Sequence, residues 1–140
     1  PEAGKHRAMK YMLDTDICIY LINKRPPKVL DRFHRNEVGD IGVSSVTVAE
    51  LAYGVAKSGS ERNRAALEGF LLPLEIADFD QKAAWKFGEV RSALERAGKP
   101  IGPYDMQIAA HALALGCTVV TNNQREFQRV PGLKVENWTR

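Results

Sequence analysis

Short apolar runs alternate along this chain with longer segments of helical period. KYML (10–13), DIGVSS (40–45), LEIADF (74–79), CTVVT (117–121) and LKVEN (133–137) read as strands. Between them lie ICIYLINK (17–24), stopped by Pro26 and Pro27, and KVLDRFHRNE (28–37), which both read as short helices. In TVAELAYGVAKSG (47–59), Val48, Leu51, Ala52 and Val55 fall at i, i+3, i+4 and i+7 and form one apolar stripe. ERNRAALEGFLL (61–72) is a further amphipathic helix ended by Pro73, and the longest helix is predicted from Gln81 to Ala97. PYDMQIAAHALALG (103–116) carries Pro103 where a first helical turn accepts it and Gly116 where a helix stops. NNQREFQRV (122–130) reads as a loop with a short helix. Strands alternating with helices predict an α/β fold: a three-layer α/β/α domain with a mainly parallel central sheet.

The chain has 140 residues, enough for one domain and too few for two ordinary ones. Residues 1–8, PEAGKHRA, have no periodicity and read as a tag or upstream remnant, so the expected domain is 9–140, starting at Met9. Without Glu2, Lys5 and Arg7 the formal charge drops from +3 to +2, which permits a polyanionic partner without demanding one. Cys18 and Cys117 sit inside apolar segments with no C-x-x-C pair, the pattern of buried reduced thiols in a cytoplasmic protein. No stretch is long and apolar enough to span a membrane.

Acids recur where strands give way to helices. Asp14 and Asp16 flank the end of the first strand, Glu50 lies early in the helix after the second, Asp105 in the first turn before the fourth, and Asn123 and Glu126 follow the fourth. In open parallel sheets ligands bind beside the carboxyl ends of the strands, so these groups are expected to meet there. Two carboxylates about 4 Å apart repel by roughly 4 kcal/mol at an effective dielectric near 20, and a hard divalent cation reverses the sign. Mg²⁺ or Mn²⁺ suits such oxygen donors; zinc does not, because His34, His111 and the cysteines form no spaced ligand pair. His111, on an Ala- and Leu-rich helix, reads as a core residue. Each acid also has an ordinary explanation. Thr47 and Glu50 form a T-x-x-E capping box, Asp105 favours a helix dipole, Asp16 reads as a helix cap, and Glu126 fits an exposed acid.

Four segments, MLDTDICIYLI, VSSVTVAELAYGV, GKPIGPYDMQIAAHAL and VVTNNQREFQRVPGLKVENW, in this order and spacing, resemble the PIN domain and within it the VapC ribonuclease toxins of bacterial toxin–antitoxin pairs. The resemblance runs from about residue 9 to the end. It implies that Asp14, Glu50 and Asp105 are metal-site acids and that Glu126 completes or supports them. It implies supporting places for Thr121 and Asn123, the latter standing where many relatives have Asp. Asp16, where Asn is usual, is read as a supporting cap beside Asp14.

What the resemblance implies is a Mg²⁺-dependent endoribonuclease, with Mn²⁺ as substitute, that cleaves structured RNA, first of all a tRNA anticodon stem-loop. A small antitoxin whose tail occupies the acidic groove and a homodimer are implied in the same way. Basic residues including Lys24, Arg25, Lys57, Arg62 and Arg125 could rim the site, with Tyr53 or Tyr104 to stack an unpaired base. Two other readings compete. A haloacid-dehalogenase-like phosphatase would use D-T-D as its D-x-D strand end. A receiver-like regulatory domain that binds Mg²⁺ without being an enzyme would need a phosphoacceptor after the third strand, where Asp78 and Asp80 stand.

Overall fold

A computed structural model describes residues 9–140; the expected remnant at 1–8 lies outside the described residues. Five strands, β1 (Tyr11–Leu13), β2 (Ile41–Ser44), β3 (Glu75–Ala77), β4 (Thr118–Val120) and β5 (Val135–Glu136), form one sheet in the order β3-β2-β1-β4-β5. Every adjacent pair is parallel. The helices are α1 (Thr15–Ile22), α2 (Pro27–His34), α3 (Ser45–Ser58), α4 (Glu61–Leu71), α5 (Gln81–Arg96), α6 (Pro103–Leu115) and α7 (Gln124–Phe127).

The alternation of strand side chains divides the core in two. Met12 and Val119 pack on one face with Val90 and Leu94 of α5, Ile108 and Ala112 of α6, and Phe127 of α7. Leu13, Val43 and Val120 pack on the other with Ile17 and Leu21 of α1, Val29 of α2, Leu51 of α3 and Leu67 of α4. The fully buried Trp138 belongs to this second cluster. Its ring meets that of Tyr11 edge to face at 5.2 Å, and its indole N–H donates to Glu136. The result is the predicted three-layer α/β/α arrangement, with a sheet that is parallel throughout.

Pro103 and Gly116 bound α6 as predicted, the latter with φ 73°, where a side chain would be strained. Cys18 and Cys117 are buried free thiols, and among the described residues no helix is long and apolar enough to cross a membrane. His111 is a core residue, its Nδ1 2.8 Å from Ser44 Oγ and its ring edge-on to Phe79 at 5.4 Å.

Several boundaries shift by a few residues, as in α1, which starts at Thr15 rather than Ile17, and one shift changes a capping assignment. β2 runs into α3 with no loop, so Ser44 both ends the strand and caps the helix, accepting from Val46 N–H at 3.1 Å. The capping box expected from Thr47 and Glu50 is therefore not formed. Thr47 lies inside the first turn, buried, and its hydroxyl has no hydrogen-bond partner among the described residues.

Gly42 marks the tightest point of the sheet. A Cβ there would collide with the Glu75 carbonyl of β3 and press on the Glu75 and Met9 side chains. Gly42→Ala is expected to destabilise the fold by about 1–3 kcal/mol through forced backbone shift, read as a lowered denaturation midpoint. An unchanged midpoint would mean that β2 and β3 separate freely.

Candidate active site

The order of the sheet reverses between β1 and β4, and the strand ends on either side of that point supply the first two groups of the site. Asp14 directly follows β1. Its backbone N–H donates to Val120 O at 3.0 Å and continues the ladder between the two central strands. Its side chain then spends both oxygens: Oδ1 accepts from Ile17 N–H at 2.9 Å, and Oδ2 accepts from Thr121 Oγ1, just past β4, at 2.5 Å. Asp14 is thus itself the N-cap of α1, with φ −79° and ψ 174°. This corrects the reading of Asp16 as the cap. Asp16 is an exposed residue of the first turn, placed to favour the helix dipole.

The other acids arrive from three helices. Glu50, half-buried on α3, accepts from Thr15 Oγ1 at 2.6 Å. Asp105 sits in the first turn of α6, and Glu126 in α7. Asn123 precedes α7; its backbone N–H donates to Thr121 Oγ1 at 2.8 Å, and its amide makes no cap bond. Thr121 therefore accepts from Asn123 while donating to Asp14, tying the loop after β4 to the acid after β1. Thr15 was not singled out in the sequence. The available signal was its place directly after the capping Asp14, where a hydroxyl on the first turn faces the neighbouring helix.

Burial and crowding both act on these acids. Asp14, 3% exposed, has its carboxyl pushed up to about 7, chiefly by loss of water, against the lowering effect of its hydrogen bonds from Thr121 and Ile17. Asp16 and Asp105 add smaller repulsions. Asp105 is raised to about 6, again chiefly by burial, then by the charges of Glu126, Glu50 and Asp16. Asp105 is thus close enough to feel each of the other four acids.

They do not form a closed coordination shell: among the described residues no three Asp, Glu, His or Cys side chains are disposed to hold one ion as they stand. The oxygens of Asp14 and one of Glu50 are engaged by neighbouring donors. Each carboxylate oxygen has a second lone-pair site, so these bonds orient the acids without exhausting them. The donor chemistry is all oxygen and anionic, which fits a hard divalent cation and leaves no thiolate or imidazole for zinc.

The phosphoacceptor places of a receiver-like domain are occupied otherwise. Asp78 and Asp80 follow the edge strand β3, and Asp80 caps α5 by accepting from Ala83 N–H at 3.0 Å.

The PIN domain family model matches residues 11–133. Over 132 residues the chain is 48% identical to the tRNA(fMet)-specific endonuclease VapC of Shigella flexneri, covering 94% of this chain and 99% of that protein. It is 51% identical over 131 residues to ribonuclease VapC2 of Haemophilus influenzae, covering 93% of this chain and 98% of the relative. Among solved structures, DNA-bound VapBC from Salmonella typhimurium superposes with a TM-score of 0.88 at 47% identity, covering 93% of this chain and 98% of that one.

The raised acids make stability depend on pH. A carboxyl whose folded pKa lies above its unfolded value binds more protons in the folded state, so its stabilisation is present at low pH and lost as pH rises through the folded pKa. For Asp105 that window runs from 3.8 to about 6. His111 acts oppositely: burial lowers its pKa from 6.5, so its contribution is present above 6.5 and is lost as pH falls below it. Comparison with Asp105→Asn cancels the His111 effect. In chelator, the variant is expected to match wild type near pH 4 and to exceed it near pH 7 by about 1–2 kcal/mol, allowing for solvent screening of this half-exposed group. Thermal melts across that range check it. A variant less stable at neutral pH would make Asp105 a helix-turn residue first.

Proposed function

The chain belongs to the PIN domain family, and on that premise we propose that it is the toxin of a VapBC-type toxin–antitoxin pair, a divalent-metal-dependent endoribonuclease that cuts a tRNA in its anticodon stem-loop. The observation that carries the reading is the meeting of Asp14, Glu50, Asp105 and Glu126 at the strand-order reversal, where burial and mutual charge raise Asp14 to about 7 and Asp105 to about 6. Residues 9–140 form one PIN domain in this reading, and the buried free thiols Cys18 and Cys117 suit a reducing cytoplasm.

Asp14, Glu50 and Asp105 would hold Mg²⁺, with Mn²⁺ as substitute. When bound, the cation supplies positive charge at the scissile phosphate and activates water for attack. Asp14 is the fixed member, locked by Thr121 and the α1 backbone, and so gives the site its direction. Asp105 or Glu50 would orient the attacking water and receive its proton, and Glu126 adds negative charge beside Asp105. Glu50, steadied by Thr15, carries charge on the α3 side. His111 does not serve as base, since it is buried against Ser44. Asn123 and Asp16 support: Asn123 through its backbone bond to Thr121, Asp16 by its negative charge at the rim.

The antitoxin reading has a surface to fit. A groove of about 290 Å³ between α1, α3 and α4 is walled by Ile19, Ile22, Leu51, Val55 and Leu67, and carries Thr15 and Glu50 at one end. An antitoxin segment with apolar anchors followed by Arg or Lys would fill the walls and pair with the acids. A homodimer of the toxin belongs to the same reading.

Purified protein is expected to cleave tRNA with Mg²⁺ or Mn²⁺ and to stop in EDTA, and Asp105→Asn is expected to lower the rate about 10²–10⁴-fold while retaining a cooperative melt. End-mapping of the fragments locates the cut, and undiminished cleavage in excess chelator would overturn the metal mechanism.

A basic antitoxin-tail peptide is expected to bind more weakly at high salt and to Glu50→Gln, because exposed charge pairs are screened. Titration of that peptide at two salt concentrations checks this; equal affinities throughout would place the inhibitor away from the acids.

A further inference from the structure

The loop after β4 faces two ways. Thr121 turns its hydroxyl to Asp14, while the next residue, Asn122, turns its amide to the far side. There Asn122 Nδ2 donates to the Tyr20 hydroxyl at 3.1 Å, and Oδ1 accepts from Thr139 Oγ1 at 3.2 Å and from Asn137 Nδ2 at 3.5 Å. Tyr20, Arg25, Pro26, Asn122 and Thr139 enclose an open cavity of about 370 Å³. That is within the ~300–1,000 Å³ usual for small-ligand sites. On α1, Tyr20 follows Asp16 by four residues, so the two share a helix face about one 5.4 Å turn apart. The cavity therefore adjoins the acidic centre along both α1 and the β4 loop.

Its chemistry selects a class of ligand. Tyr20 offers a ring face and a hydroxyl that accepts from Asn122 and keeps its own proton to donate. Asn122 and Thr139 add an amide and a hydroxyl, groups that both donate and accept. Arg25 contributes an exposed guanidinium that has no carboxylate partner among the described residues. Asn122 keeps one amide N–H beyond its bond to Tyr20, so a bare anion would leave the ring unused, and an apolar ligand would leave that N–H and the Tyr20 hydroxyl proton unmatched. A planar group with a polar edge, joined to a negative charge, uses all of them.

We propose that this cavity binds the unpaired nucleobase of the nucleotide flanking the scissile phosphate and selects its identity: Tyr20 stacks on the base, Asn122 reads its edge, and Arg25 meets its phosphate. The proposal rests on the ribonuclease reading above and adds a specificity element to it. It moves the stacking role expected of Tyr53 or Tyr104 to Tyr20. Base-on-aromatic stacking and edge hydrogen bonds are the means by which single-stranded RNA is recognised. The division of labour follows from strand geometry, because consecutive residues leaving β4 point to opposite sides, one toward the acids and one toward the base.

The test is steady-state cleavage of a stem-loop series in which each nucleotide flanking the cut is varied through all four bases. Tyr20→Ala is expected to raise KM about tenfold with a much smaller change in kcat, and Tyr20→Phe to restore most of the affinity by keeping the ring. Asn122→Ala is expected to flatten base preference at one flanking position only. A parallel measurement does not depend on cleavage: binding of labelled pentanucleotides with each central base, in EDTA, to wild type and to the same variants. Tenfold weaker binding by Tyr20→Ala and lost discrimination by Asn122→Ala support the pocket. Unchanged KM, unchanged base preference and equal pentanucleotide affinities overturn it. A wild type that binds with base preference but cuts no RNA would instead overturn the ribonuclease reading and leave the base pocket standing.

Discussion

Repulsion among carboxylates held out of water is the constraint around which this molecule is arranged. A parallel sheet brings the carboxyl ends of all its strands to one edge, and the reversal of order between β1 and β4 opens a crevice there. Asp14 and Asp105 stand in it with Glu50 and Glu126 near, at a cost in ionisation visible in the raised pKa values of the first two. Such a cluster is unfavourable to folding alone, so the surroundings must hold it. Two apolar layers and the hydrogen bonds to Asp14 and Glu50 do so.

Positioning is economical because after β1 and β2 the chain passes from strand to helix without a connecting loop. Leu13 ends β1 and Thr15 begins α1, leaving only Asp14 between them; Ser44 ends β2 and Ser45 begins α3. A residue at such a junction has its backbone fixed from both sides. Asp14 and Ser44 each use this to cap a helix, and the Ser44 hydroxyl meets His111 as well, so α6 is anchored to the β2 junction.

The layer order and most helices were legible because periods of two and 3.6 are imposed directly by which face is buried. Val48, Leu51 and Val55 do line the inner side of α3, whereas Ala52, the fourth member of the predicted stripe, is exposed; Pro103 and Gly116 do bound α6. What escaped the sequence was decided at those loopless junctions. T-x-x-E at 47–50 has the composition of a cap, yet the helix begins before it, since Ser44 is already free to cap once the strand ends. D-T-D at 14–16 offers two carboxylates, and only the path of the backbone out of β1 determines that Asp14 turns back onto the α1 amides. The partners of these groups, Thr121 for Asp14 and Thr15 for Glu50, depend on tertiary approach that no local pattern encodes.

The hydrogen bond from Thr121 to Asp14 spans 107 residues of sequence. Closing so long a loop is entropically unfavourable, and nothing local rewards it before the central strands pair. Sequence separation alone therefore places the pairing of β1 with β4 among the expected later events of folding. A chain arrested before that step lacks its central ladder and its acidic crevice together. Assembly of the acids and completion of the central ladder are therefore one structural event.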